Sequence, residues 1–222
     1  PKVSPDGRKV AVSVGVGTTE SQVWVLDLER DILSPLTSQG TNIVPIWSPD
    51  GEWVFFSSTR EGTYAWDVFR KSVTAGQRDP AEMVLEREGF QVASDITPDG
   101  RTLILADGGP GGDLTTLRLE EGASMEAILV SDATEGMPTI SPDGFWLAYI
   151  SNETGRNEVY VRPISGAGPI QVSRAGGSSP VWARDGRELY YRRGAETIAV
   201  EIQTSPELRL LAEHLLFEVN DV

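Results

Sequence analysis

The sequence predicts an all-β fold, a β-propeller of four-stranded antiparallel blades, and three observations carry that prediction. One turn tetrapeptide recurs five times. The segments flanking each copy are short and rich in β-branched and aromatic residues. Four such segments fit between one copy and the next.

The turn copies are Ser4-Pro5-Asp6-Gly7, Ser48-Pro49-Asp50-Gly51, Thr97-Pro98-Asp99-Gly100, Ser141-Pro142-Asp143-Gly144 and the degraded Ala183-Arg184-Asp185-Gly186. Their aspartates are 44, 49, 44 and 42 residues apart. Proline pre-sets φ for the first central position of a type I turn, and aspartate bonds nearby backbone N–H groups from the second. Glycine then takes the left-handed conformation that starts the returning strand. Asp6, Gly7, Asp50, Gly51, Asp99, Gly100, Asp143, Gly144, Asp185 and Gly186 are therefore read as structural turn residues.

The strands follow in order. Before the turn stands a short apolar segment: Pro45-Ile46-Trp47, Met137 to Ile140, Pro180-Val181-Trp182. After it come Lys9 to Val14, Trp53 to Ser58, Thr102 to Ala106, Trp146 to Ser151 and Glu188 to Arg192. Third strands are read at Val23 to Leu26, Trp66 to Phe69, Leu114 to Leu119, Val159 to Val161 and Ile198 to Val200. Weaker fourth strands are read at Ile32 to Leu36, Met83 to Leu85, Ala127 to Val130 and Ile170 to Val172. The blades span about 1–40, 41–88, 89–133, 134–175 and 176–222 of one domain, 1–222. A solenoid is the competing architecture, but its repeats are generally shorter.

Aligning the turns sets Pro1 level with Pro45, Pro138 and Pro180, so the first strand of blade one is expected to begin upstream of this sequence. Leu215-Leu216-Phe217 is expected to finish blade five, with Val219 to Val222 running toward another strand. Either five blades close on themselves or a further blade lies outside these 222 residues.

Composition narrows the function. Lysine and arginine number 19 against 33 acidic residues, a net charge of −14 that repels phosphate backbones, so no nucleic-acid partner is expected. No stretch has the apolar length of a membrane span, so no membrane insertion by this segment is expected. Cysteine is absent, which removes thiolate ligands and nucleophiles.

Signals for chemistry are sparse. His214 is the single histidine, near the end of the last blade, with no G-x-S-x-G elbow to serve. Gly108 to Gly112 is Gly-rich, but no GK[ST] follows, so it reads as a loop. One histidine and no cysteine exclude zinc, and the turn aspartates sit on separate blades with turn work to do. No catalytic residue, metal or cofactor is assigned.

The column aligned across first strands reads Lys2, Ile46, Asp95, Thr139 and Val181. Lys2, Asp95 and Thr139 are candidate channel or binding positions. Either they form a polar wall that grips a small ligand or peptide end, or they are strand starts whose charges reach water. Trp47 and Trp182 share a column with Val3, Ile96 and Ile140 and read as packing between blades; Trp24 and Trp66 fall on third strands.

These residues carry a resemblance. The Ser-Pro-Asp-Gly turn followed by an apolar strand resembles the TolB-like, WD-repeat-related propeller family. Ile140 to Tyr149, Ser151 to Arg156, Val159 to Pro163, Pro180 to Trp182 and Asp185 to Arg192 resemble more narrowly the C-terminal propeller region of bacterial serine/threonine protein kinases. The resemblance implies six blades, with about one missing here, and an extracytoplasmic position in a bacterium. Departures are the lost proline at Arg184 and the acidic Asp95.

The expected function is a non-catalytic sensory or protein-interaction module of a signalling protein. Its partner would be a protein or peptide, or a small ligand at the channel mouth. The competing expectation is the propeller of an enzyme, either the gating domain of a prolyl-oligopeptidase-like peptidase or a channel-based carbohydrate-active enzyme.

Overall fold

The structure is a computed structural model that describes residues 1–16, 20–59, 65–107, 112–120, 124–166, 168–204 and 207–219. Among the described residues the elements are all strands. The first sheet holds β1 (Lys2–Val3), β2 (Lys9–Val16), β3 (Glu20–Asp27) and β4 (Ile32–Pro35). The second holds β5 (Thr41–Trp47), β6 (Trp53–Thr59), β7 (Asp67–Ser72) and β8 (Glu82–Leu85). The third holds β9 (Gln91–Ile96), β10 (Thr102–Asp107), β11 (Leu114–Arg118) and β12 (Met125–Leu129). The fourth holds β13 (Glu135–Ile140), β14 (Trp146–Ser151), β15 (Glu158–Pro163) and β16 (Ile170–Gln171). The fifth holds β17 (Ser178–Trp182), β18 (Glu188–Arg193), β19 (Glu196–Gln203) and β20 (Arg209–Glu218).

In every sheet the strands lie in chain order, each beside the next, so each sheet is an antiparallel meander. Five such sheets are the blades of a β-propeller. They fall into two compact units, one of Pro1–Gly109 with Thr116–Met125 and one of Pro110–Thr115 with Glu126–Val222.

In the first unit, Ala11, Val23 and Leu36 of the first sheet pack with Trp47, Val54, Phe56 and Phe69 of the second. The second sheet's other face, through Ile46, Phe55 and Val68, packs on Ala93, Ile96, Leu103, Leu105 and Leu117 of the third. Buried on both faces, β6 reads as an unbroken apolar and hydroxyl run rather than an alternation. In the second unit, Ala148, Val159, Val161 and Val172 of the fourth sheet pack with Trp182, Leu189, Tyr191, Ile198, Val200 and Ile202 of the fifth.

Three boundaries differ from the sequence expectation. First strands reach upstream of their prolines, to Thr41, Glu135 and Ser178, because a bulge absorbs the missing N–H at Pro45, Pro138 and Pro180. Trp66 precedes β7 and makes an isolated parallel bridge with Phe90. The last strand, the ten-residue β20, contains Leu215-Leu216-Phe217 near its end and begins well before them, at Arg209. Val3, aligned with the packed Trp47 and Trp182, is 54% exposed. The Gly-rich loop at 108–111 and the end of the chain at 220–222 lie outside the described residues.

Candidate functional site

The turns use their aspartates in full view. The Ser4 hydroxyl donates to Asp6 Oδ1 at 2.6 Å, and the Arg8 N–H donates to the same oxygen at 3.0 Å. The Lys9 N–H closes the loop on Ser4 Oγ, and the Gly7 N–H donates to the Ser4 carbonyl. The same set recurs at Ser48/Asp50, Thr97/Asp99 and Ser141/Asp143. At the degraded copy Ala183 has no hydroxyl to give, and the Arg187 N–H still donates to Asp185 Oδ1 at 3.0 Å. Hydroxyl and N–H donation hold the Asp6, Asp50 and Asp99 carboxyls below the usual range. Gly7, Gly51, Gly100, Gly144 and Gly186 all have φ between 71° and 79°. A Cβ on Gly51, Gly100 or Gly186 would touch the turn proline of the preceding blade, Pro5, Pro49 or Pro142.

The first strands carry a second repeated device. In β5 the register jumps from Ile43↔Ser57 to Ile46↔Phe55, so Val44 and Pro45 oppose the single residue Phe56. In β13 Met137 and Pro138 oppose Tyr149, and in β17 Ser179 and Pro180 oppose Tyr191. The residue before each proline is left-handed although none is glycine: Val44 at φ 50°, Met137 at 50° and Ser179 at 52°. Such a conformation costs about 1–3 kcal/mol per residue, most for β-branched Val44. The bulge makes room for the aromatic ring beneath it, and Phe56, Tyr149 and Tyr191 are at most 1% exposed. Burying a large side chain contributes about 1.5–3 kcal/mol, enough to offset the strain. Burial also pushes the Tyr149 phenol up, and the Tyr191 phenol to about 12, so both are neutral packing groups.

The candidate positions lie beside these bulges. Lys2 is half-buried on β1, and its carbonyl accepts the Trp47 Nε1–H at 2.9 Å. Thr139 is half-buried on β13, and its carbonyl accepts the Trp182 Nε1–H at 3.3 Å. Asp95 sits on β9, where its carboxylate accepts the Ile96 N–H at 3.0 Å. Lys2 and Asp95 are not adjacent: β5 lies against both β1 and β9 and so stands between them. What the second unit exposes on its first strands is mainly apolar, with one hydroxyl beside it. Met137 and Val181 are 54% and 55% exposed, and the exposed Ser179 hydroxyl reaches Met137 Sδ at 3.7 Å.

A third column was not legible in the sequence. At or near the start of each of the first four third strands stands a polar residue: Gln22 third in β3, Asp67 and Glu158 opening β7 and β15, and Asp113 just before β11. Gln22 accepts from Thr37 Oγ1 and Asn42 Nδ2 at 2.6 and 2.9 Å and donates to the Gly40 carbonyl. Asp67 accepts the Arg87 N–H. Glu158, 1% exposed, accepts from the Ser173 hydroxyl, from the Gly176 N–H at 3.0 Å and from Arg156 Nε at 2.6 Å. The Gln22, Asp67 and Glu158 side chains each tie down the loop that leaves their blade. The column therefore places the next first strand and its bulge.

With this geometry in hand, the chain was compared with known proteins. No family model matches it. TolB, the Tol-Pal system protein of Francisella tularensis, is 25% identical over 194 residues, covering 82% of this chain and 43% of that protein. The solved structure of TolB from Acinetobacter baumannii superposes with a TM-score of 0.76 at 19% identity, over 97% of this chain and 53% of the other. The fold is a TolB-like β-propeller. The chain spans less than half the length of the Francisella relative. TolB-like architecture is also shared with propellers of enzymes. A prolyl endopeptidase matches with a TM-score of 0.66 at 17% identity, over 100% of this chain and 37% of the other. An oligogalacturonate lyase solved with manganese matches at 0.66 and 16%, over 96% and 64%.

Proposed function

We propose that this TolB-like propeller is a non-catalytic module that binds a protein or peptide through the bulged edges of its first strands. Its place would be outside the cytoplasm of a bacterium, in a protein that senses or signals. The observation that carries the reading is the repeated left-handed bulge. At it Met137 and Ser179 stand in solvent, with exposed Val181 two residues beyond, on strands otherwise committed to packing. Strained non-glycine backbone kept at one place in three blades is the kind of feature that gathers at contact surfaces. Exposed Met and Val beside a hydroxyl suit an extended peptide, and Thr139 would supply a polar end to that contact within the second unit. Lys2 and Asp95 would be polar positions on the first unit's own first strands. The likeness to a Tol-Pal system protein supports both the protein-binding reading and the extracytoplasmic one.

Photo-crosslinking from Met137 or Val181 in intact cells tests this. One protein partner should be captured from both positions, and its affinity should fall about tenfold in the Met137→Glu/Val181→Glu variant. Crosslinks arising only elsewhere on the surface would sink the proposal. The second reading is a peptidase propeller, favoured by the prolyl endopeptidase whose match covers the whole of this chain. It requires a catalytic partner domain, so co-purification of prolyl-peptide hydrolysis with the native protein would support it instead.

A further inference from the structure

Lys71 is buried where the repeat calls for an apolar side chain. Aligned through the hairpin registers, its counterparts are Leu26, Leu117 and Val200 in the first, third and fifth sheets and Arg162 in the fourth. Lys71 is 3% exposed, and an ammonium is costly to take out of water. Its Nζ donates to the Gln77 carbonyl at 3.0 Å and to the Asp79 carbonyl at 2.7 Å. Carbonyls hold an ammonium without cancelling its charge.

Those two bonds fasten the loop between β7 and β8. It runs nine residues, 73–81, against four between β3 and β4. The Asp79 carboxylate is turned back into the loop, where it accepts the Gly76 N–H at 2.6 Å. Across from it, the Ser38 hydroxyl of the β4–β5 connection donates to the Gln77 carbonyl at 3.3 Å. Loop and connection enclose a cavity of about 320 Å³. Lys71 and Phe69 are the buried part of its lining, and Ala81 and Met83 add apolar wall. Arg78 lines it from the exposed side and belongs to no ion pair among the described residues.

Fastening a loop explains the two Lys71 bonds, but not the space, nor a second cation that opens on it. In a chain of net charge −14, two cations on one cavity mark a place for an anion. A bare inorganic anion would leave Phe69 and Met83 uncovered, whereas an acid with an apolar body would use both.

We propose that this cavity binds a carboxylate borne on a small apolar body. The carboxylate lies in the field of Lys71 and against Arg78, and the body lies on Phe69 and Met83. Either a free organic acid or the C-terminus of a peptide ending in an apolar residue carries that chemistry.

Amide NMR of the 222-residue chain, titrated with hexanoate, is the test. Saturable shifts should be confined to residues 37–39 and 76–83, with a dissociation constant on the order of 1 mM. The neutral counterpart 1-hexanol should bind at least about tenfold more weakly. Lys71→Met should abolish binding but also releases the loop. Arg78→Ala leaves both latch bonds in place and so decides the matter: it should weaken hexanoate about tenfold. Acetyl-Gly-Leu separates the two sources, since binding tighter than hexanoate assigns the site to a peptide end and weaker binding to a free acid. The proposal is overturned if no shift saturates by about 20 mM, if hexanol binds as tightly, or if Arg78→Ala binds like wild type.

Discussion

Removing the Glu158 carboxylate should destabilise the second unit by about 3–4 kcal/mol, whereas converting it to an amide should cost only about 1 kcal/mol. Glu158 is 1% exposed, and in Glu158→Ala the Ser173 hydroxyl and the Gly176 N–H lose their acceptor in a buried place. Leaving a buried donor unsatisfied costs about 1–3 kcal/mol each. Arg156 adds little to the loss, because its side chain is 59% exposed and can turn to water. Glu158→Gln keeps the shape and an accepting oxygen, and the first sheet already uses this arrangement. There Gln22 accepts from Thr37 Oγ1 at 2.6 Å and donates to the Gly40 carbonyl at 2.8 Å. What remains lost is charge assistance to the bonds. Urea unfolding at pH 7 reads the difference: at a slope of about 2 kcal/mol per molar, the alanine midpoint should fall by about 1.5–2 M and the glutamine midpoint by about 0.5 M. Amide exchange at Val159 and Gly176 should quicken in the alanine variant before global unfolding does. An alanine variant within 1 kcal/mol of wild type, or a glutamine variant as damaged as alanine, would refute the reasoning.

Two further outcomes follow from the same kind of group. Glu135 accepts from Ser131 and Ser151 through Oε1, but its Oε2 is buried without a hydrogen-bond partner, and so is Oδ1 of Asp113 on the segment joined to it by the Glu135 N–Gly112 O bond. Between the first and second sheets the matching residues are Gln22 on β3 and Asn42 on β5, an amide pair bonded at 2.9 Å. Glu135→Gln should therefore raise stability by about 1 kcal/mol in thermal or urea unfolding, and a loss would show that the carboxylate is needed as it stands. Acid should weaken the fold in a defined direction. Serine, threonine and backbone donors hold the Asp6, Asp50 and Asp99 carboxyls low, and at Glu158 burial pushes up while donation from Ser173, Gly176 and Arg156 outweighs it. Each folded-state value lies below the unfolded one, so the stabilisation is complete above the unfolded carboxylate range and is lost as pH falls through the folded one. Urea midpoints from pH 7 down to pH 2 should decline only in that acid window; a flat profile there would contradict the assignment.

The turns and sheet count were legible because their chemistry is local: Ser4, Asp6 and Lys9 settle one turn among themselves, within five residues. The same local rule repeats down the chain with unchanged residue types, which makes it visible by eye. The Gln22, Asp67, Asp113 and Glu158 column escaped because it is chemically mixed and its partners are distant. Glu158 reaches Ser173 and Gly176, 15 and 18 residues on, and Gln22 reaches Thr37, 15 residues on. The bulges escaped for a different reason. Valine, methionine and serine share no preference for a left-handed φ, so Val44, Met137 and Ser179 look unrelated. What they share is a proline next to them and an aromatic exactly one hairpin away: Pro45 and Phe56, Pro138 and Tyr149, Pro180 and Tyr191 are each eleven residues apart. In the third sheet that pair is Ser94 and Leu105, and Ala93, the residue before Ser94, is absent from the left-handed residues although a register shift persists between Ile104 and Leu105. Proline removes a ladder bond and the ring beneath demands space, so together they convert a plain irregularity into a strained one. The conformation that lifts Met137 and Ser179 into solvent is thus fixed from below, by packing, which leaves their own side chains free to be chosen for contact.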